Sequence, residues 1–180
     1  TFLFLLLICA AAIAPNSANA QTVWTAAPDA SFQFWRFDAE YSPTTSKVFF
    51  LGGRLTDGST DGSVWSYDPV TGAYADTGVD MPVPVSNYNI ARVTDGSGNE
   101  LLMIFGGRDN NGISTNNVQG YDPVANATVT FTATDPYPEL TSPGGVIAVA
   151  NKAYAFGGFD GVVTTAGCHI FDVTAADGAR

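Results

Sequence analysis

The sequence predicts an all-β protein in which a unit of about fifty residues occurs three times. One observation is composition: the 180 residues are 46% hydrophobic and only 13% charged, with 19 Gly and 10 Pro, which indicates a globular chain rich in turns. Another is a glycine pair after each of three apolar runs, at 52–53, 106–107 and 157–158. The last is an aromatic residue followed by Asp, at 67–68, 121–122 and 171–172, in which the Asp lies 14 or 15 residues after the second glycine.

Each unit divides into short strand-like segments. The runs KVFFLGG, ELLMIFGG and KAYAFGG are continuous and apolar, as in strands buried on both faces, and SVWSYD, NVQGYD and CHIFD predict the strands that follow. A tight turn, DPVTGAY or DPVANAT, then leads to a fourth strand, AYADTG or TVTFTA. Gly72 and Asn126 align in that turn, and both residue types tolerate positive φ. Pro-rich segments lead to the next first strand, NIARV or GVIAV, and no helix is predicted after residue 20.

Four antiparallel strands in a radially repeated unit are typical of a β-propeller blade. The predicted blades cover 31–79, 84–134 and 144–180, and TVWTAA at 22–27 aligns as an orphan fourth strand. Propellers have about four to eight blades, so the sequence predicts a fragment of a propeller with about three four-stranded blades. We expect further repeats in the intact protein, with 22–27 closing the ring.

The first twenty residues predict a secretory signal. Phe2–Ala14 is apolar but too short to span a bilayer comfortably, and Ala18-Asn19-Ala20 fits a signal-peptidase site. We expect cleavage after Ala20, a secreted or extracellular (or periplasmic or cell-surface) protein comprising residues 21–180, and no membrane span after cleavage. The alternative is a buried core helix. Without an initiator Met or a basic region before the apolar run, the sequence is expected to begin inside its signal peptide.

The order of apolar strand, Gly-Gly, polar loop and aromatic-Asp-Pro resembles the kelch repeat, over residues 22–180. The family's usual Trp on the fourth strand is replaced by Tyr74 in the first copy and by Val129 or Phe131 in the second. The resemblance implies a propeller fold and, most simply, a module that binds or scaffolds protein or carbohydrate. Its structural residues would be the repeated landmarks Gly52, Gly53, Tyr67, Asp68, Gly106, Gly107, Tyr121, Asp122, Gly157, Gly158, Phe171 and Asp172.

Some proteins similar to the kelch family are secreted enzymes, and they supply the alternative function. This chain would then be the N-terminal part of a copper-radical, galactose-oxidase-like oxidase or of a sugar mutarotase. The oxidases use several His and Tyr ligands, whereas here Tyr67 and Tyr121 are repeat landmarks and His169 is the single histidine. The sequence therefore predicts no catalytic residue, no metal ligand and no cofactor, and a binding protein is favoured over an enzyme.

The net charge limits the kinds of partner that we expect, and several single residues are explained by their positions in the repeat. A formal charge of −10 repels phosphate backbones and anionic lipid, so nucleic acid is not an expected partner. Cys168 aligns with Val64 and Val118, which predicts an apolar core position, and His169 aligns with Trp65 and Gln119, a variable strand position. Asp57 and Asp61 lack a calcium-loop pattern and fit ordinary turns. Asn126 begins a glycosylation sequon, Asn-Ala-Thr, in an exposed turn.

Loops at one end of the predicted blades supply the candidate binding residues. The loops between second and third strands share a face with the segments that lead from one blade to the next. Arg, Asn, Asp and aromatic side chains there suit a protein or glycan ligand. The candidates are Arg54, Asp57, Asp61, Asn87, Tyr88, Arg108, Asp109, Asn110, Phe159 and Asp160, with Asn111 beside them.

Overall fold

Each sequence repeat forms its own antiparallel sheet. The computed structural model describes residues 24–180. Within these residues all the secondary-structure elements are β-strands. Sheet 1 consists of β1 (Ala39–Ser42), β2 (Lys47–Arg54), β3 (Thr60–Asp68) and β4 (Ala73–Asp80). Sheet 2 consists of β5 (Ile90–Thr94), β6 (Glu100–Phe105), β7 (Val118–Asp122) and β8 (Ala127–Thr130). Sheet 3 consists of β9 (Ser142–Val149), β10 (Lys152–Phe159) and β11 (Thr164–Asp172).

The predicted all-β fold and the order of strands are therefore confirmed for the described residues. The predicted signal peptide and the first two residues of 22–27 lie outside them. Residues 24–27 join no strand, and the Trp24 side chain is exposed. Residues 24–180 contain no helix long and apolar enough to cross a membrane.

The fourth strand of repeat 2 is shorter than predicted. It ends at Thr130 instead of extending through TVTFTA. The Val118 N–H donates to the Thr132 hydroxyl at 2.9 Å. If β8 continued to pair with β7, this N–H would donate to a backbone carbonyl of β8 instead. A side chain that replaces the ladder in this way turns the chain out of the sheet.

The glycine pairs mark close approaches of backbone to backbone. In sheets 1 and 3 they lie inside the strand at a register shift, between Leu51 and Gly53 and between Phe156 and Gly158. Gly52 has a φ of 77°, and a Cβ there would fall on the carbonyl oxygen of Asp61 in the neighbouring strand. Glycine accepts both the left-handed φ and the missing Cβ volume, which explains its recurrence.

The Asp of the aromatic-Asp landmark sets the turn that follows the third strand. The carboxylate of Asp68 accepts the N–H of Val70 at 2.8 Å, and that of Asp122 accepts the N–H of Val124 at 2.8 Å. These short bonds end the third strand of each repeat and set the turn to the fourth. The turn prediction is confirmed as well, since Gly72 has a φ of 73° and Asn126 has a φ of 51°.

Two apolar clusters join the three sheets in sequence. One packs Leu51 and Val64 of sheet 1 against Leu102 and Ile104 of sheet 2. The other packs the opposite face of sheet 2, including Phe105, against sheet 3. Strand β6 is buried along its whole length because it is covered on both sides.

Equivalent positions differ in burial according to what covers them. The second-strand residue before the glycine pair is 1% exposed at Leu51 and 2% exposed at Phe105, but 48% exposed at Phe156. The residues paired with these positions on the third strand are Val64, Val118 and Cys168. Val64 and Val118 are fully buried, whereas Cys168 is exposed. The prediction that Cys168 fills a core position is therefore wrong. The repeat equivalence is correct, but no described sheet covers the outer face of sheet 3.

We expect Gly52→Ala to destabilise the fold by more than its φ alone explains. A left-handed φ at a non-glycine residue costs about 1–2 kcal/mol, and the collision with the Asp61 carbonyl adds to it. Gly78→Ala is the matched control, because Gly78 has a φ of 73° and open space around its missing Cβ. Urea unfolding of both variants measures the difference. Equal losses of unfolding free energy would contradict the close-approach explanation.

Candidate functional site

The loop face is formed by the connections between second and third strands and by the segments that enter the first strands. We define it as residues 33–38, 54–60, 84–89, 106–117 and 159–163. Paired backbone hydrogen bonds of 2.9 Å join Trp35 to Arg54, and equivalent bonds of 2.9 and 2.8 Å join Ser86 to Arg108. Each entering segment is thereby fixed beside the loop of its own repeat.

Arg54 links the loops of repeats 1 and 2. Its guanidinium donates to the Asp109 carbonyl at 2.9 Å, to the Ser86 hydroxyl at 3.2 Å, and to the Gly58 carbonyl. The side chain is half-buried. A planar group with several donors suits such a junction of carbonyl oxygens. Arg54 was predicted as a ligand contact, yet most of its donors are used within the protein.

Further contacts interlock the three loops. The Thr60 N–H donates to Asn110 Oδ1 at 3.0 Å, between repeats 1 and 2. The Ser114 hydroxyl donates to the Asp160 carbonyl at 3.0 Å, between repeats 2 and 3. The Arg108 guanidinium carbon lies 5.1 Å from the ring centroid of Phe159, a cation–π distance.

The loop aspartates shape their own turns. Asp57 accepts the hydroxyl and N–H of Ser59, and these bonds lower the pKa of its carboxyl group. Asp61 accepts the hydroxyl and N–H of Ser63 in the same way. The N–H groups of Val163 and Val162 likewise lower the pKa of Asp160. Asp109 accepts the N–H of Asn111 at 2.9 Å and that of Ile113 at 2.8 Å. Ordinary turn chemistry accounts for these carboxylates. The sequence predicted this role for Asp57 and Asp61, and it named all four as candidate binding residues.

Asn87 and Tyr88 belong to the framework of this end of the molecule. Asn87 has a φ of 58° and its N–H donates to the Arg36 carbonyl. Tyr88 is only 4% exposed, and its hydroxyl donates to the Gly52 carbonyl at 2.8 Å. This burial raises the pKa of Tyr88. The expectation that Tyr88 contacts a ligand is wrong, because the ring is packed between sheets 1 and 2.

The exposed apolar residues of the loop face were missed by the sequence reading. They are Trp35, Phe37, Ile113, Phe159, Val162 and Val163, of which only Phe159 was among the candidates. The signal was available, since Ile113 and the Val162-Val163 pair interrupt loops that are otherwise polar. Beside Trp35 the surface forms a cavity of about 440 Å³ lined by Gln33, Phe34 and Thr56, and Arg36 covers the Trp35 ring at 4.2 Å.

One contact recurs in all three repeats with three different chemistries. In each repeat one residue of the segment that leads into the first strand contacts the same position of the third strand. That residue is Phe32, Val83 or Glu139. Phe32 packs against Trp65 at 5.6 Å between ring centroids. The Gln119 amide bonds both the N–H and the carbonyl of Val83, at 3.0 and 2.7 Å.

In repeat 3 this contact explains the single histidine. His169 Nε2 lies 3.0 Å from Glu139 Oε1, and the Thr165 hydroxyl donates to the other oxygen at 2.8 Å. The bond to His169 is the main cause that lowers the pKa of Glu139. His169 thus has a structural partner at a position that varies between repeats.

Other features lie away from the loop face. A cavity of about 400 Å³ at the opposite end is lined by Asp95, Asp122, Phe131 and Arg180, among others. Asn126 is exposed, but its amide donates to the Thr77 carbonyl at 3.1 Å and accepts the Tyr121 hydroxyl at 2.8 Å. Within residues 24–180 no three His, Cys, Asp or Glu side chains are grouped as a metal site would need.

No protein-family model matches the sequence, and no curated protein matches it.

Acid should destabilise the protein through Asp172, which ends the third strand of repeat 3. The Thr174 hydroxyl and N–H lower the pKa of Asp172 from 3.8 to about 2. A lowered pKa stabilises the folded state above the unfolded value, and this contribution is lost as the pH falls from 3.8 towards 2. Urea unfolding across this range should show a falling free energy, with a shallower fall for Asp172→Asn than for the exposed control Asp29→Asn. Identical slopes would contradict this role of Asp172.

Proposed function

We propose that this chain is part of a secreted kelch-type β-propeller and that its loop face binds a protein partner. Three equivalent sheets stacked through equivalent faces support the propeller, since radial repetition of four-stranded sheets builds that fold. The repeated glycine pairs and aromatic-Asp turns support the kelch relationship. An acidic chain with a predicted signal peptide is consistent with an extracellular binding module.

The observation that carries the binding proposal is the exposed apolar surface on interlocked loops. Ile113 is 63% exposed, Val162 is 85% exposed and Val163 is 56% exposed. Loops between strands tend to be polar, and clustered exposed apolar side chains are typical of interaction surfaces. The contacts of Arg54 and Arg108 hold these loops in place before any partner arrives, which lowers the entropic cost of binding.

The chemistry of this surface favours protein over carbohydrate. Branched aliphatic side chains bury apolar area well and offer no hydrogen bonds to sugar hydroxyls. Exposed Asp57, Asn110 and Asn111 would form a polar rim around them. The cavity beside Trp35 is the feature that a glycan would use instead, and a propeller enzyme remains the alternative implied by the family resemblance.

We expect Ile113→Asp to weaken partner binding by about tenfold or more, since a charge placed in a buried apolar contact is costly. Val124→Asp is the matched control, because Val124 is also 63% exposed but lies in a turn at the opposite end. Secreted proteins and a panel of glycans would be screened on the immobilised protein, and each interaction measured with both variants.

Equal effects of the two variants on a protein partner would contradict the loop-face proposal. Binding only to glycans, abolished by Trp35→Ala, would replace the protein partner with a carbohydrate. Bound copper together with peroxide production from sugar alcohols would establish the enzyme instead.

A further inference from the structure

Two arginines follow the glycine pairs of repeats 1 and 2, and their guanidinium groups differ in what they contact. Arg54 donates to the Asp109 carbonyl and the Ser86 hydroxyl of repeat 2 and to a carbonyl of its own loop. The Arg108 side chain donates to no acceptor in the described part of the chain, and its guanidinium carbon lies 5.1 Å from the centroid of the Phe159 ring instead. Equivalent positions thus hold one arginine whose donors are used and one whose donors are available.

The neighbouring repeat explains why Arg108 stacks on a ring. The acceptors equivalent to those of the first arginine would be the Asp160 carbonyl and the Ser142 hydroxyl of repeat 3. The Asp160 carbonyl already accepts the Ser114 hydroxyl at 3.0 Å. Ser142 Oγ is buried and has no hydrogen-bond partner among the described residues. The residue after the third glycine pair is Phe159, and the face of its ring attracts a cation.

Arg108 belongs to the same short hairpin as the most exposed apolar residue of repeat 2. Its backbone pairs with that of Ser114, and the Asp109 N–H donates to the Ile113 carbonyl at 2.9 Å. The Ile113 side chain is 63% exposed even though repeat 2 has a neighbouring sheet on each side. Arg108 itself is half-buried. The hairpin therefore offers a cation and an aliphatic side chain to the same partner.

No acidic side chain of the described residues forms an ion pair with Arg108. The carboxylates of Asp109 and Asp160 accept N–H groups of their own turns. Arg36 is also stacked on a ring, with its guanidinium carbon 4.2 Å from the Trp35 centroid, but its side chain is exposed. An ion pair gains more at a half-buried position, because less water screens it. An anion should therefore gain more from Arg108 than from Arg36.

We propose that Arg108 binds a carboxylate of the protein partner, on an Asp or Glu next to an apolar side chain that packs on Ile113. This inference rests on the proposed function and names the chemistry that the partner must bring to the loop face. A guanidinium presents parallel N–H donors that match the two oxygens of a carboxylate, and the Phe159 ring holds its plane in position. The net charge of −10 opposes an acidic partner only weakly, because salt screens exposed charges beyond about 8–10 Å.

Random heptapeptides displayed on phage are the probe, selected on the immobilised protein. We expect selected peptides to be enriched in Asp or Glu beside a large apolar residue. In titrations of the synthetic peptides, Arg108→Gln should weaken binding by about ten- to hundredfold, as expected for hydrogen bonds to a charged group. Arg108→Lys keeps the charge without the planar fork and should fall in between. The matched control is Arg36→Gln, which removes the same charge from the exposed arginine and should change affinity by less than about twofold.

A charge exchange separates loss of binding from loss of folding. Arg108→Glu should reject the acidic peptides and should bind the same peptides once Lys replaces their Asp or Glu. A misfolded variant would lose the first ligand without gaining the second. Binding of the wild-type protein to the acidic peptides should also weaken as the salt concentration rises.

The outcomes distinguish this inference from the proposed function. Acidic peptides that bind Arg108→Gln as well as the wild type, or selected peptides without acidic residues, would overturn the inference. The loop-face proposal would survive that result if Ile113→Asp still abolished binding. Equal losses for Arg36→Gln and Arg108→Gln would assign the effect to overall charge. Binding of a uronic-acid oligosaccharide but of no peptide would move the carboxylate to a carbohydrate, and peptides insensitive to both Arg108→Gln and Ile113→Asp would contradict the proposed function as well.

Discussion

The packing of one sheet on the next, always through equivalent faces, is the constraint on which the remaining structure depends. A four-stranded sheet of this size has apolar residues on both sides and cannot bury both by itself. Sheet 2 solves the problem with a neighbour on each side, and β6 is buried throughout as a result. Stability in such arrays resides in the junctions between neighbours as much as in the repeats themselves. Within residues 24–180 no other sheet covers the outer face of sheet 3, whereas Phe32 packs on Phe50 and Trp65 at the outer face of sheet 1.

The loop face is a consequence of that stacking. Since the sheets pack in register, their second-to-third-strand loops meet at one end and bond to each other there. Arg54 spans one such meeting point and the Arg108–Phe159 pair lies at the next. These charged side chains thus contact other loops of the protein and hold them together. The same contacts support the apolar surface of Ile113, Val162 and Val163 that the loop face offers to a partner.

The sequence predicted the fold to the extent that the fold is local and periodic. Strand order, the turns at Gly72 and Asn126, and the structural role of the glycine pairs all follow from residue type and spacing. Repeat equivalence misplaced Cys168 because burial depends on the neighbouring sheet as well as on the position within a repeat. For the loop face, residue chemistry alone pointed to Arg54 and Tyr88. Only the packing shows that one is a link between loops and the other lies in the core.

The direct measurement of this arrangement is the thiol reactivity of three equivalent positions. Single cysteines at 64, 118 and 168, each in a chain lacking other cysteines, would be labelled in the folded protein under dilute, monomeric conditions. Val64 and Val118 are fully buried and Cys168 is exposed, so we expect rapid labelling at 168 and strong protection at 64 and 118. Protection should disappear on unfolding. Equal reactivity at all three positions in the folded state would contradict a stack in which each sheet covers the face of the one before it.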